Sequence, residues 1–269
     1  MAIDLARLRQ WPLPLRLLAF LGILALVWLP VGLPIVLTVP DANLRSILAL
    51  VWLYLLFLGW VRLWERRVHG EARPFRRLGW EWSGRMGRSL LLGLAVGLLA
   101  VWGLFGLQIL CGWQQWNGPS PQFPRFLAEG TLTGLGTALA EELLFRGWLL
   151  DELERSLRPT PALVSCAVIF ALVHGTRPQF FTLLLLGLAL VWAKRADGQW
   201  LGLPMGVHAG LVWGYYQLKV GGLVTPLNEA FLGAGLQNNP LQSLAGLVAM
   251  ALLTLGLWLG ARRLPTETR

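Results

Sequence analysis

Five ionisable side chains lie inside long apolar stretches of the sequence. Glu141, Glu142 and Arg146 fall within the segment ALAEELLFRGWLL, and His174 and His208 fall within two later apolar stretches. Ionisable groups at bilayer depth cost several kcal/mol each, so those that occur usually serve a function. A carboxylate or an imidazole held in a dry site can act as a general acid or base. The five residues are therefore candidates for a functional site.

Helix geometry separates the two glutamates. Glu142 and Arg146 are four residues apart, so they share a helix face and can form an ion pair that holds this helix in register. Glu141 lies about 100° around the helix from Glu142 and has no partner within its own helix, which suits a general base. The alternative is that both glutamates pair with basic groups of other helices as structural contacts, and this helix alone leaves both readings open.

His174 is the partner that the spacing indicates for Glu141. Pro159 and Pro161 mark a break between two apolar segments. An antiparallel hairpin that turns at this break brings His174 to within roughly 3 Å of the depth of Glu141. A single buried histidine is also common as a hydrogen-bonded core residue, and the matched depth makes the two interpretations about equal.

Counting residues does not bring His208 to the same place. If the helices before and after residue 200 are straight, His208 and His174 differ in depth by roughly 15 Å. Gly206 and Gly210 flank His208, and such small residues let another helix approach closely. A tilted or broken helix would be needed for the two histidines to meet, and Pro204 could permit it.

The composition predicts an all-α polytopic membrane protein. Of the 269 residues, 55% are hydrophobic and only 14% are charged, whereas soluble domains usually carry about 25% charged residues. Repeated apolar runs of this length predict about eight transmembrane helices within a single integral membrane domain, residues 1–269. The runs are approximately 17–39, 46–64, 89–111, 126–150, 160–176, 178–194, 203–220 and 240–261.

The positive charges predict how the chain is oriented in the membrane. Eighteen of the 23 Lys and Arg residues fall on one side of the predicted spans and four on the other. The positive-inside rule therefore places both termini in the cytoplasm. The distribution argues against nucleic acid as the partner. The basic loop 62–88 could lie against anionic lipid headgroups, and a role as a topology signal alone explains it equally well. Cys111 and Cys166 form neither a disulfide framework nor a metal motif and are expected to act as small apolar residues.

Three short motifs resemble those of a known membrane protease family. EELLFR, from Glu141 to Arg146, resembles the EExxxR motif of the CPBP family, which includes CAAX prenyl endopeptidases and bacteriocin-processing enzymes. FALVH, from Phe170 to His174, resembles its FxxxH motif. HAGLV, from His208 to Val212, resembles its HxxxN motif at the histidine only. The resemblance covers about residues 126–220, the expected core.

The resemblance implies an intramembrane endopeptidase whose helices enclose a buried active-site cavity. Glu141 would be the catalytic glutamate that activates water with His174, and His208 would be the second essential histidine. Glu142, Arg146 and Phe170 would support the site. Valine stands at position 212 where the family has asparagine, so an oxyanion donor is missing unless Trp213, Tyr215, Tyr216 or a backbone N–H replaces it. The substrate could be a CAAX-type tail, a bacteriocin leader or another membrane-associated peptide.

Two further questions stay open in the sequence. Glu141, His174 and His208 could together bind zinc, but Glu141 cannot easily be both a zinc ligand and the free base, so metal-independent water activation is favoured. Val212 favours the main alternative function, a non-proteolytic membrane chaperone or scaffold on the same fold. A transporter is disfavoured because the sequence has no matching polar sites in a second half.

Overall fold

The first of two compact units is a pair of long apolar helices. A computed structural model describes residues 5–174, 179–227, 235 and 239–263, and its contacts divide the chain into Met1–Arg77 and Leu78–Arg269. Within the first unit, the ring of Phe20 packs against Trp60 and Trp64, and the Trp60 indole donates to the Phe20 carbonyl over 3.0 Å. The elements of this unit are a 3₁₀ helix Leu5–Gln10, α1 Leu13–Thr38, α2 Ala42–Arg67 and α3 Pro74–Arg77.

The second unit carries all three sequence motifs. Its helices are α4 Gly84–Leu110, α5 Phe123–Glu142, a π-helix Leu143–Leu149, α6 Leu150–Glu154, α7 Pro159–His174, α8 Phe180–Ala196, α9 Gly202–Tyr215, a π-helix Tyr216–Val220, a 3₁₀ turn Pro240–Gln242 and α10 Leu244–Arg262. Strands β1 Gln114–Trp116 and β2 Val224–Pro226 form a short antiparallel pair with Gln115 opposite Thr225.

The helical membrane fold expected from composition is confirmed. Helices α1, α4, α10 and the Leu44–Arg67 part of α2 are each long and apolar enough to cross a membrane. The other predicted apolar runs overlap shorter or interrupted helices that carry the motifs. The chain is therefore an integral membrane protein, and β1 and β2 are the small departure from an all-α fold among the described residues. The division into one integral domain and the orientation of the termini stay predictions.

The predicted helix over residues 126–150 is interrupted by a π-helix. The wider turn begins at Leu143, directly after the two glutamates, and ends at Leu149. π-Turns insert a residue into a helix and are frequent at functional sites. The helical run then continues to Glu154, and α7 begins at Pro159, so the proline break lies where the sequence predicts it.

Glycines set the position of α9 against α4. The two helices run parallel, and Gly206 of α9 faces Gly93 of α4 so closely that a Cβ on Gly93 would lie 2.3 Å from the Leu203 carbonyl oxygen. Gly210 faces Gly97 in the same way one turn later. The expectation that the glycines flanking His208 admit another helix is therefore confirmed, and the partner is α4.

The turn between α8 and α9 holds the start of α9 in place. The Asp197 carboxylate accepts hydrogen bonds from the backbone N–H of Leu203 at 3.0 Å and from the hydroxyl of Ser89 at 2.6 Å. The first contact satisfies an otherwise unpaired donor at the helix N-terminus, and the second ties the same residue to α4. Together with the glycines, Asp197 fixes the depth at which α9 begins.

We predict that Gly93→Ala destabilises the protein by about 1–3 kcal/mol, because the added methyl group must push α9 away from α4. The matched control is Gly103→Ala on the same helix, where a Cβ meets nothing within 4 Å and alanine favours the helix. Thermal unfolding in detergent measures both. Equal unfolding temperatures for the two variants would contradict the close approach of the helices.

Candidate active site

Glu141 and His174 meet across the hairpin formed by α5 and α7. The distance between Glu141 Oε2 and His174 Nε2 is 3.1 Å, so the matched depth expected from the proline break is borne out in the geometry. The side chain of Glu141 is 19% exposed and that of His174 is 30% exposed. Both side chains are therefore partly exposed, whereas those of Glu142 and Arg146 are fully buried.

His208 reaches the same glutamates, against the expectation from straight helices. Its Nε2 lies 3.9 Å from Glu141 Oε2, and its Nδ1 lies 2.8 Å from Glu142 Oε1. The expectation was wrong because the depth of α9 is set by its packing on α4 and α5 and not by the length of α8. Gly134 of α5 faces Ala209 and Gly130 faces Tyr216, so α5 and α9 are antiparallel.

The antiparallel arrangement also explains how the side chains converge. Every Cα–Cβ bond in a helix tilts toward that helix's N-terminus. The side chain of Glu142 therefore leans back along α5, and the side chain of His208 leans back along α9, which runs the opposite way. The two groups approach one another although their Cα atoms are offset along the helices.

Arg146 is the buried cation at the base of the site. The Arg146 guanidinium donates to Glu142 Oε1 over 2.9 Å and to the Gly187 carbonyl over 3.2 Å, and it lies 4.3 Å from the centroid of the Phe170 ring. The side chains of Glu142 and Arg146 are both fully buried. The predicted ion pair is thus present, and Glu142 has a second partner, His208, that helix spacing alone did not indicate.

Both histidines present the same ring nitrogen to Glu141. His174 Nδ1 lies 2.8 Å from the Phe170 carbonyl, which can only accept, so this nitrogen carries a proton. His208 Nδ1 faces Glu142, which is paired with Arg146 and also accepts. These partners assign the tautomers. In each ring, Nε2 is the nitrogen that faces Glu141. A hydrogen bond between Glu141 and His174 therefore requires one proton between Oε2 and Nε2.

The same three residues are the zinc ligands that the sequence leaves open. Ligand atoms around tetrahedral zinc lie about 3.3 Å apart, and Glu141 Oε2 lies 3.1 Å from His174 Nε2 and 3.9 Å from His208 Nε2. The ligand atoms of Glu141, His174 and His208 do not all lie within 4.8 Å of one another. The three side chains would therefore have to move closer together to coordinate one zinc ion, which would polarise a bound water or carbonyl.

Two of the aromatic residues beside Val212 use their donors elsewhere. The Trp213 indole donates to the Leu127 carbonyl at 3.2 Å, and the Tyr216 hydroxyl donates to Glu129 at 3.0 Å. The ring of Tyr215 packs edge-on against Phe105 of α4, a contact that does not involve its hydroxyl. Tyr215, a backbone N–H and the histidines therefore remain as candidate oxyanion donors.

Lys194 is buried, although the positive-inside count places it among the cations on the cytoplasmic side of the spans. It is only 5% exposed, and its ammonium donates to the Arg146 carbonyl over 2.6 Å. A lysine within the last turn of an apolar helix is common, so the sequence contained no signal that distinguished a buried role.

The described helices define a polytopic membrane protein with a cluster of carboxylates and imidazoles between its helices. Residues 123–214 match the family model described as "Type II CAAX prenyl endopeptidase Rce1-like". All three motifs lie within this match, which is consistent with the CPBP family and confirms the resemblance seen in the sequence. That family is one of proteases. Comparison with curated proteins and with solved structures found no match.

We predict that Arg146→Met destabilises the protein by about 3–5 kcal/mol, because it leaves the buried carboxylate of Glu142 without its cation. The matched control is Arg125→Met, which breaks an ion pair of the same four-residue spacing with Glu129 in an exposed position and should change stability little. Chemical or thermal unfolding in detergent compares the two. Similar losses would contradict the buried role of Arg146.

Proposed function

We propose that the protein is an intramembrane endopeptidase in which Glu141 and His174 activate the water that attacks a peptide bond. The observation that carries the proposal is the position of Glu141 Oε2, 3.1 Å from one histidine nitrogen and 3.9 Å from the other. The family match supports an endopeptidase of the CAAX type at the level of the family. The residue roles are the finer part of the proposal.

Glu141 is the general base. Its carboxylate accepts a proton from a water molecule bound beside it, and His174 shares that proton through the contact between Nε2 and Oε2. The Phe170 carbonyl holds His174 at Nδ1, so the ring keeps Nε2 directed at the carboxylate. The shared proton then passes to the leaving amine, which balances the hydrolysis.

His208 stabilises the oxyanion in place of the missing asparagine. In its protonated form, His208 donates a hydrogen bond from its Nδ1–H to Glu142. Its Nε2–H is then available to donate to the substrate oxygen. Glu142 balances the charge of that imidazolium and is itself held by Arg146. This arrangement gives Glu142 an orienting role as well as a structural one, and it provides a donor although Val212 cannot.

The substrate is a membrane-associated peptide. The site is formed by helices of a membrane-embedded unit, and the exposed parts of Glu141 and His174 are the side from which a peptide carbonyl can approach. A prenylated CAAX tail is the class that the family description names. An amphiphilic peptide of this kind reaches the site from the membrane surface, which suits a domain with cationic loops.

We predict that Glu141→Gln lowers hydrolysis of a farnesylated peptide with a CAAX terminus by about 10²–10⁴-fold, since glutamine cannot accept the proton. His208→Ala should lower it by about 10²–10³-fold through loss of the oxyanion donor. The control is Glu129→Gln, an exposed acid on the same helix that contacts Arg125 and Tyr216.

Measured rates of peptide release, with thermal unfolding as the check on folding, decide the assignment. Full activity in folded Glu141→Gln would remove Glu141 from the mechanism. If the wild-type protein binds the peptide and releases no product, the binding function of a chaperone or scaffold is favoured instead.

We predict that hydrolysis survives dialysis against a strong chelator. Glu141 Oε2 already lies at hydrogen-bond distance from His174, and the base must keep a free lone pair for the proton. Activity before and after treatment with 1,10-phenanthroline, with zinc content measured by elemental analysis, tests this prediction. Loss of activity that added zinc restores would make Glu141, His174 and His208 metal ligands.

A further inference from the structure

The π-helix behind the two glutamates is held by side chains from two other helices. The thiol of Cys166 on α7 donates to the Phe145 carbonyl over 3.2 Å, and the ammonium of Lys194 on α8 donates to the Arg146 carbonyl over 2.6 Å. Both donors and both acceptors are buried. Two successive carbonyls of the wider turn therefore accept hydrogen bonds from outside their own helix.

We propose that Lys194 and Cys166 are positioning residues of the site, holding the π-helix so that Arg146 keeps both histidines directed at Glu141. The inference rests on the proposed function, and neither residue belongs to the three sequence motifs. Lys194 acts on the backbone of Arg146, whereas Cys166 acts one residue earlier at Phe145.

Arg146 connects these contacts to both histidines. Through Glu142, its guanidinium reaches Nδ1 of His208. Through its stacking on Phe170, it contacts the residue whose carbonyl holds Nδ1 of His174. A shift of the Arg146 backbone therefore changes the orientation of both rings at once. A displacement of about 1 Å at a reacting group can lower a rate by about 100-fold.

The burial of Lys194 is the reason to assign it more than a surface role. Moving an ammonium out of water is costly unless it has partners, and a lysine one turn from the end of a membrane helix could extend to the lipid headgroups instead. Here it turns inward to a backbone carbonyl, with the acidic side chains of Glu154 and Asp151 close enough to interact with its charge.

The first measurement reports the environment of the histidine ring nitrogens and does not depend on enzymatic activity. The chain has three histidines, so ¹⁵N-histidine NMR in detergent resolves His174 and His208, with His69 as the internal reference. We expect Lys194→Met to shift the Nδ1 and Nε2 signals of His208 and to leave those of His69 unchanged. Lys194→Arg keeps a donor and should restore the wild-type signals. Unchanged signals in folded Lys194→Met would overturn the inference.

The second measurement determines kcat and KM separately for hydrolysis of the farnesylated CAAX peptide. We expect Lys194→Met to lower kcat by about 10-fold to 100-fold and to change KM less than about twofold, with kcat recovered in Lys194→Arg. Cys166→Ala should also lower kcat, with Cys166→Ser as its control. This second pair of variants replaces the Lys194 pair if Lys194→Met does not fold. An unchanged kcat in the folded variants would overturn the inference.

The two measurements separate this inference from the function on which it rests. If the wild-type protein releases no peptide but Lys194→Met shifts the His208 signals, the endopeptidase assignment fails and the positioning role stands. If the wild-type protein cleaves the peptide and Lys194→Met cleaves it equally well, the endopeptidase stands and the positioning role fails.

Discussion

The buried guanidinium of Arg146 is the group on which the polar centre of this protein depends. An isolated charge inside a membrane domain is strongly unfavourable, so its partners determine how the surrounding helices can pack. Arg146 binds Glu142 on its own helical run, the Gly187 carbonyl on α8 and the face of Phe170 on α7. Three consecutive helical segments are thereby held to one side chain, and the site lies on their common surface.

Close helix packing brings the rest of the site to that cation. In a membrane, helices associate through van der Waals contact and interhelical hydrogen bonds, because burial of apolar surface gives no driving force there. Gly93 and Gly206 allow α4 and α9 to touch through their backbones, and Gly134 lets α5 approach Ala209. Since α9 is fixed on both sides, His208 is held at the depth where its ring reaches both glutamates.

The arrangement gives the two adjacent glutamates different environments. Glu142 is fully buried and contacts both Arg146 and His208. Glu141 is partly exposed and faces the Nε2 atoms of both histidines. One carboxylate is thus buried and held through its Oε1 atom, and its neighbour is left partly exposed.

The sequence by itself determined the features that depend on local spacing. Apolar run lengths indicate a membrane protein, the four-residue interval pairs Glu142 with Arg146, and the proline break matches the depth of His174 to Glu141, because helix rise and turn position are set locally. The place of His208 and the inward turn of Lys194 were decided by tertiary structure. Both depend on how α8 and α9 pack against helices far away in the chain, and residue counting along straight helices does not contain that information.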